Sequence, residues 1–152
     1  MESLLAREKV KVFVETCHPE ARLPLYANPT DAGADIFLVE DVFWQPGETK
    51  IVKTGLKVAI PEGWEIQMRP RSGLSLKSPL RLANSPATID TGYRNEIGVI
   101  VQNTSVKEFK MAKGDRIAQM IIAKSQMIEW IKVDDITKHE GDRGGGFGST
   151  GK

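Results

Sequence analysis

Val10, Val12 and Val14 alternate with Lys11, Phe13 and Glu15, a period of two that predicts a strand. Leu56, Val58 and Ile60 alternate with Lys57 and Ala59. After the turn Pro61-Glu62-Gly63, Trp64, Ile66 and Met68 alternate with Glu65, Gln67 and Arg69. Two such runs across a Gly-containing turn predict a β-hairpin. Ile97-Gly98-Val99-Ile100-Val101 is more continuously apolar, as in a strand buried on both faces, and Ile117-Ala118-Gln119-Met120-Ile121-Ile122 reads the same way. A further strand is predicted over residues 127–133. Gly or Pro punctuates the gaps, at Pro46-Gly47, Pro70 to Gly73, Pro79, Pro86 and Lys113-Gly114-Asp115. Helical periodicity is scarce, and one short helix is predicted over residues 73–77, after Arg71-Ser72.

Many short strands with regular turns predict an all-β domain: a sandwich, jelly roll or barrel. Neither an internal repeat nor a linker divides the chain. Residues 139–152 differ, with six glycines and almost no apolar side chains. The expected organisation is a β domain over residues 1–138 and a flexible glycine-rich C-terminal arm over residues 139–152. Trp44, Trp64 and Trp130 are expected as core or half-buried strand residues.

Composition adds constraints. The 152 residues suit one domain with a real core. They are 40% hydrophobic and 27% charged, with a net charge of +1. That balance gives no footprint for nucleic acid or an anionic membrane, so neither is expected as a partner. The single Cys17 excludes an internal disulfide framework, and with His18 and one further histidine, His139, it makes no metal cluster. No apolar run approaches the roughly 18 residues of a membrane span, and the first eight residues lack a signal-peptide core. A cytoplasmic location is the expectation.

Three polar, Gly-containing stretches carry candidate chemistry. In Arg69-Pro70-Arg71-Ser72-Gly73-Leu74, arginine offers a planar fork of donors, serine a hydroxyl, and glycine close backbone approach, all suited to phosphate. The bland alternative is a capped turn. In Asn84 to Glu96, Asp90 suits a general base, Tyr93 a flat face for a sugar or base, and Asn84 the reading of a nucleobase edge. The bland alternative is a polar hairpin, since Asp is common in turns. The tail Gly146 to Lys152 fits GxxxxGK, but no Ser/Thr and no helix follow within the sequence, so the phosphate-loop context fails. The same tail, with Arg143, Phe147 and two hydroxyls, suits a lid that orders over a phosphorylated ligand. No HExxH helix, cysteine cluster or GxSxG elbow is present, and no GxGxxG fingerprint follows a strand and opens a helix.

Taken together, five segments resemble, in order, the motifs of the homotrimeric dUTP pyrophosphatase family. They are Asp31-Ala32-Gly33-Ala34-Asp35-Ile36, Pro70-Arg71-Ser72-Gly73, Thr88-Ile89-Asp90-Thr91-Gly92-Tyr93-Arg94, Lys113-Gly114-Asp115-Arg116-Ile117-Ala118-Gln119, and Arg143 to Gly151. The resemblance covers residue 22 to the C-terminus. It implies a distorted β jelly roll with at most one short helix, three chains in a ring, and active sites between subunits closed by the C-terminal arm. It implies hydrolysis of dUTP to dUMP and pyrophosphate, which limits uracil incorporation into DNA and supplies dUMP for thymidylate synthesis.

By position, the resemblance implies that Asp90 activates the water attacking the α-phosphorus. Arg71, Ser72 and Gly73 hold phosphates, and Gln119 touches the phosphate chain. Asn84 and the backbone around Thr88 and Ile89 read uracil in a hairpin too tight for a thymine methyl. Gly98 meets the base through its backbone, and Tyr93 packs under the deoxyribose. Arg143 reaches the γ-phosphate, Phe147 stacks on uracil, and Gly148, Ser149 and Thr150 complete the arm's contacts. The implied cofactor is Mg²⁺, bound directly by the triphosphate, with Asp35 contributing through water.

Ala87 stands where the family commonly has Gly, Gly92 where it has a second Asp, and Asn95 where it has Gly. None of these replaces Asp90, Tyr93 or Arg71. Two other readings compete. A dCTP deaminase shares the implied fold but usually carries Arg-Ser-Ser where this chain has Arg71-Ser72-Gly73. A non-catalytic nucleotide-binding module would not need the intact Asp90 and glycine arm.

Overall fold

The computed structural model describes residues 7–148, 150 and 151. It is antiparallel throughout, with eleven strands among the described residues: β1 Phe13–Thr16, β2 Ala34–Phe37, β3 Val42–Trp44, β4 Thr49–Lys53, β5 Leu56–Ala59, β6 Trp64–Arg69, β7 Leu80–Leu82, β8 Ala87–Ile89, β9 Gly98–Asn103, β10 Phe109–Met111 and β11 Arg116–Lys124. A single α-helix, α1, spans Ser72–Lys77, and a 3₁₀ turn spans Ile136–Lys138. The largest sheet has the order β2-β11-β6-β8, a second β4-β9-β7, and two pairs, β1-β5 and β10-β3, complete the architecture. The predicted all-β class holds. No helix of the described residues is long and apolar enough to cross a membrane.

The inner faces enclose one apolar core, with Ile36, Leu38, Trp44, Leu56, Met68 and Ile117 at its centre. Polar groups in it are satisfied. Trp44 Nε1 donates to the Val101 carbonyl at 3.2 Å, and Thr54 Oγ1 to the Ile97 carbonyl at 2.7 Å. Buried Asn103 donates to the carbonyls of Gln45 and Lys107 at 3.2 and 2.7 Å. No buried side-chain polar atom among the described residues lacks a partner, as a fold of closely packed sheets requires.

Several expectations are corrected. The period-two runs of β5 and β6 are both strands, but they do not pair as a hairpin. β5 pairs with β1, whereas β6 pairs with β11 and β8. The turn at Gly63, where φ is +84°, instead carries the chain from one sheet to another. Alternation specifies that a segment is extended with one face buried; it does not name the partner. The N-terminal strand lies at Phe13–Thr16, later than the valine alternation suggests, and Phe13 is 78% exposed. β9 is buried on alternate positions only, because its second face is incompletely covered.

Residues 127–133 form no strand. They run unpaired, with Met127, Ile128, Trp130 and Ile131 all exposed, Trp130 to 83%. Trp44 is core and Trp64 half-buried, so Trp130 is the departure among the three tryptophans. No sheet edge within the one chain receives this segment. Beyond it, the described residues of the 139–152 arm run over the surface, exposed, and Gly141, Gly144, Gly145, Gly148 and Gly151 have positive φ.

Candidate active site

β2 and β11 place the first cluster. Gln119 lies opposite Asp35 on one side and Arg69 on the other, so the three share a face of the central sheet. Pro70 ends β6, since it has no N–H for the ladder, and Arg71 follows in an extended conformation as the N-cap of α1. Arg71 reaches back to Asp35, with Nε 3.2 Å from Oδ1, and Arg116 Nη1 approaches Asp35 Oδ2 at 3.3 Å. Gln119 Nε2 donates to the Pro70 carbonyl at 3.0 Å, which fixes the loop leading to the helix.

Asp35, Arg71, Arg116 and Gln119 line a cavity of about 320 Å³ together with Ser72 and Gly73. The first N–H groups of α1 have no intrahelical acceptor and carry positive potential. No acidic residue in the first turn answers them. Gly73 has no positive φ, and a side chain there would meet nothing within 4 Å. The fold does not demand glycine at that position. Gly33 is different: a Cβ there would lie 2.2 Å from Gln119 Oε1, so its bare backbone is what lets the Gln119 side chain lie across the β2 approach.

β8 and the following loop place the second cluster. Ile89 is buried against Ile66 of β6, and Asp90 leaves the strand exposed, with no side-chain hydrogen bond among the described residues. The backbone turns back at once, with Tyr93 N–H donating to the Asp90 carbonyl at 3.1 Å. Thr91 Oγ1 ties the turn to the Trp64 carbonyl at 2.7 Å, and the Tyr93 hydroxyl donates to the Glu96 carbonyl at 2.9 Å. Glu96 in turn accepts from Gly55 N–H at 3.0 Å. The turn is therefore braced at both ends, leaving the Asp90 carboxylate and the Tyr93 ring presented to solvent.

Asn84 sits at the corner where the chain leaves the β7 sheet for β8, just beyond the Ala83 N–H that donates to Ile100 at 2.9 Å. Gly98, which opens the neighbouring β9, lies under Ile51, whose Cγ2 a Cβ would meet at 2.4 Å. Packing alone thus accounts for that glycine. Thr88 is exposed opposite Gln67.

The chain brings the two clusters to different parts of the central sheet. Asp35 and Ile89 stand three strands apart in the order β2-β11-β6-β8 and three residues apart along β6. At ~3.3 Å per residue and ~4.8 Å per strand, that separation is about 17 Å. Arg143, Phe147, Gly148 and Thr150 join neither cluster, and the Phe147 ring is fully exposed. Ser149 lies outside the described residues. One residue of the first cluster was given no role by sequence reasoning, Arg116. Alternation sets it on the face of Ala118, and only the irregularity of β11 brings it to Asp35.

As for a metal, no group of three or more His, Cys, Asp or Glu among the described residues could hold an ion. Asp35 is the one carboxylate in the cavity wall paired with arginine, and Asp31 is turned to Asn28, whose N–H it accepts at 2.9 Å. This donor set fits a Mg²⁺ that keeps its waters and takes its direct ligands from substrate phosphates.

A family model described as dUTPase matches residues 19–151. A deoxyuridine 5'-triphosphate nucleotidohydrolase of Solibacter usitatus is 42% identical over 146 residues, 95% of this chain and 98% of the relative. That of Clostridium tetani is 44% identical over 146 residues, 95% and 96% of the two chains. Among solved structures, a dUTPase variant of Staphylococcus bacteriophage 80alpha with dUpNHpp bound superposes with a TM-score of 0.84 at 29% identity, covering 93% of this chain and 99% of that one. A dUTPase variant from phage phi11 of S. aureus, described with a structural Mg(II) ion, gives 0.76 at 28% identity over 83% and 98%.

Proposed function

The chain belongs to the dUTPase family and is a dUTP diphosphatase, and from that premise we propose a site assembled between copies of the chain in a homotrimer. Asp90 takes a proton from water. The water oxygen bonds to the α-phosphorus of dUTP, the bond to the β-phosphate oxygen breaks, and dUMP and pyrophosphate leave. The observation that carries this reading is the division of the candidate residues into two clusters about 17 Å apart by strand geometry. One is a cationic cavity of arginines, a helix N-terminus and Gln119. The other is a braced turn presenting a carboxylate beside an aromatic ring. A general base must stand about 2.6–3.2 Å from the water it activates, so phosphate held near Asp90 fits best when the cationic cavity comes from another copy.

In this reading Arg71, Ser72, Gly73 and Gln119 neutralise and orient the phosphates. Asn84 and the backbone at Thr88 and Ile89 read the uracil edge, and Tyr93 packs on the deoxyribose. Gly98 lies beneath the base. Asp35, through water, would help hold a Mg²⁺ carried by the triphosphate, and that ion would supply charge neutralisation. The described arm residues Arg143, Phe147, Gly148 and Thr150 lie free of their own chain's clusters, and the arm, Ser149 included, closes over a site elsewhere in the trimer. The unpaired apolar segment 127–133 supports assembly, since a lone chain rarely leaves such surface in water. The dUMP formed feeds thymidylate synthesis and the loss of dUTP keeps uracil out of DNA.

The test is pyrophosphate release from dUTP, dCTP, dTTP and UTP, with and without Mg²⁺, for the wild type and Asp90→Asn. Release from dUTP alone, lost in Asp90→Asn while a dUTP analogue still binds, is expected. Undiminished turnover in Asp90→Asn removes Asp90 as the base. Ammonia release from dCTP in place of pyrophosphate release marks a deaminase, and analogue binding with no cleavage marks a binding module.

A further inference from the structure

The central strand β11 is not regular at its start. Its register against β2 shifts between Arg116 and Ala118: Gln119 faces Asp35, Ala118 faces Ile36, but Arg116 faces Phe37. Two consecutive residues, Ile117 and Ala118, are fully buried, which a strand with strict alternation does not allow. Ile117 is the extra residue of a β-bulge. In a regular strand Arg116 would share the inward face of Ala118. The bulge turns it onto the face of Gln119 and Asp35 instead, the kind of re-aiming that bulges provide beside functional sites.

There Arg116 enters the wall of the 320 Å³ cavity opposite Arg71. Asp35 lies between them with a side chain only 15% exposed, one oxygen toward each guanidinium. Stability gives a poor account of this arrangement, because an ion pair with a partner as open as Arg116, 48% exposed, contributes little. The Asp35 contact engages one nitrogen of a group with five N–H donors. Two guanidiniums on one carboxylate leave a net positive charge with forked donors free, which suits bidentate contact with phosphate.

We propose that Arg116 is a second polyphosphate-binding arginine of this site, turned into the cavity by the bulge in β11 and held at its station by Asp35. Its ligand is the outer, pyrophosphate end of the substrate. The inference rests on the reading of the cavity as the site of the triphosphate. It adds a specific assignment: Arg71 and Arg116 grip the chain as a pair, so the site measures the number of phosphates.

The experiment is calorimetric titration of the intact protein with inorganic tripolyphosphate and, separately, dUMP, alongside dUTP kinetics, for wild type, Arg116→Gln and Arg116→Lys. Loss of a charge-assisted hydrogen bond predicts tripolyphosphate binding weaker by about 10- to 100-fold in Arg116→Gln. Binding of dUMP, which lacks the outer phosphates, stays within about twofold, and the KM for dUTP rises more than kcat falls. Arg116→Lys keeps the charge beside Asp35 and loses the fork, so it falls between the two. Unchanged tripolyphosphate binding, or equal weakening of dUMP and tripolyphosphate, overturns the proposal. Where Arg116→Gln does not fold, Arg116→Lys decides, and full tripolyphosphate affinity in it overturns the proposal as well. A wild type that binds tripolyphosphate through Arg116 yet never cleaves dUTP refutes the proposed reaction and leaves this assignment standing. Full dUTP hydrolysis with an unaffected Arg116→Gln does the reverse.

Discussion

Gly33→Ala introduces one methyl group where the backbone itself has no objection, because Gly33 does not adopt a positive φ. The obstacle is Gln119. The new Cβ would stand 2.2 Å from its Oε1, 3.0 Å from its Cδ and 3.2 Å from its Cβ. The amide is the mobile end of the side chain, so it swings away rather than forcing the strands apart. Swinging away breaks the 3.0 Å bond from Nε2 to the Pro70 carbonyl. That bond contributes about 0.5–1.5 kcal/mol, and a non-preferred Gln119 rotamer costs about as much again. Gly33→Ala is therefore expected to destabilise the protein by about 1–3 kcal/mol. In a Gln119→Ala background the amide is gone and only the 3.2 Å contact to the Cβ at 119 remains, so the same substitution becomes close to neutral, the restriction alanine places on the unfolded chain offsetting that contact. A double-mutant cycle by urea denaturation, at one fixed protein concentration because assembly makes stability concentration-dependent, measures the coupling. The same loss in both backgrounds would refute the reasoning. Activity should follow, since Gln119 leaves the cavity: the KM for dUTP rises in Gly33→Ala and matches that of Gln119→Ala.

Three further outcomes are expected. Trp44→Ala empties the centre of the core and should cost about 3–5 kcal/mol in denaturant unfolding, whereas Trp44→Phe, which leaves a smaller void and loses the indole N–H bond to the Val101 carbonyl, should cost about 1–3 kcal/mol. Removing residues 143–152 should lower dUTP turnover by about a hundredfold or more through lost positioning. It should leave the melting temperature unchanged, because the described arm residues bury nothing in their own chain; full activity in the truncated protein would end the lid role. The Gln45 N–H, 2.9 Å from the Glu48 carboxylate and aided by Lys50, holds the Glu48 carboxyl below its ordinary 4.5. Its contribution is thus complete above pH 4.5 and fades as pH falls through the lowered folded value. Glu48→Gln should remove that part of the acid loss of stability in melting temperatures taken from pH 6 to pH 3.

Motif residues were legible because their chemistry is local. Arg71-Ser72-Gly73 carries residue types suited either to phosphate or to a capped turn, and the short helix expected after Arg71-Ser72 does begin there. β5 and β6 were legible from alternation, because one face of each is buried in the core, and most of β11 from its apolar run. Pairing was not legible. β5 and β6 look like a hairpin on either side of Pro61-Glu62-Gly63, yet their hydrogen bonds go to β1, β11 and β8. Residues 127–133 carry strand composition and find no edge in their own chain.

What the sequence determines by itself is the class of fold, the identity of the motifs, and through them the family. Those follow from side-chain type and from short-range periodicity. Tertiary structure decides which groups meet. It brings Asp35 to Arg71 across 36 positions and to Arg116 across 81, and it keeps Asp90 on the far side of the same sheet. A bulge of one residue in β11 decides the face on which Arg116 emerges, because shifting a strand by one position exchanges its two faces. No local pattern around Arg116 encodes that exchange; it arises from how β11 packs against β2.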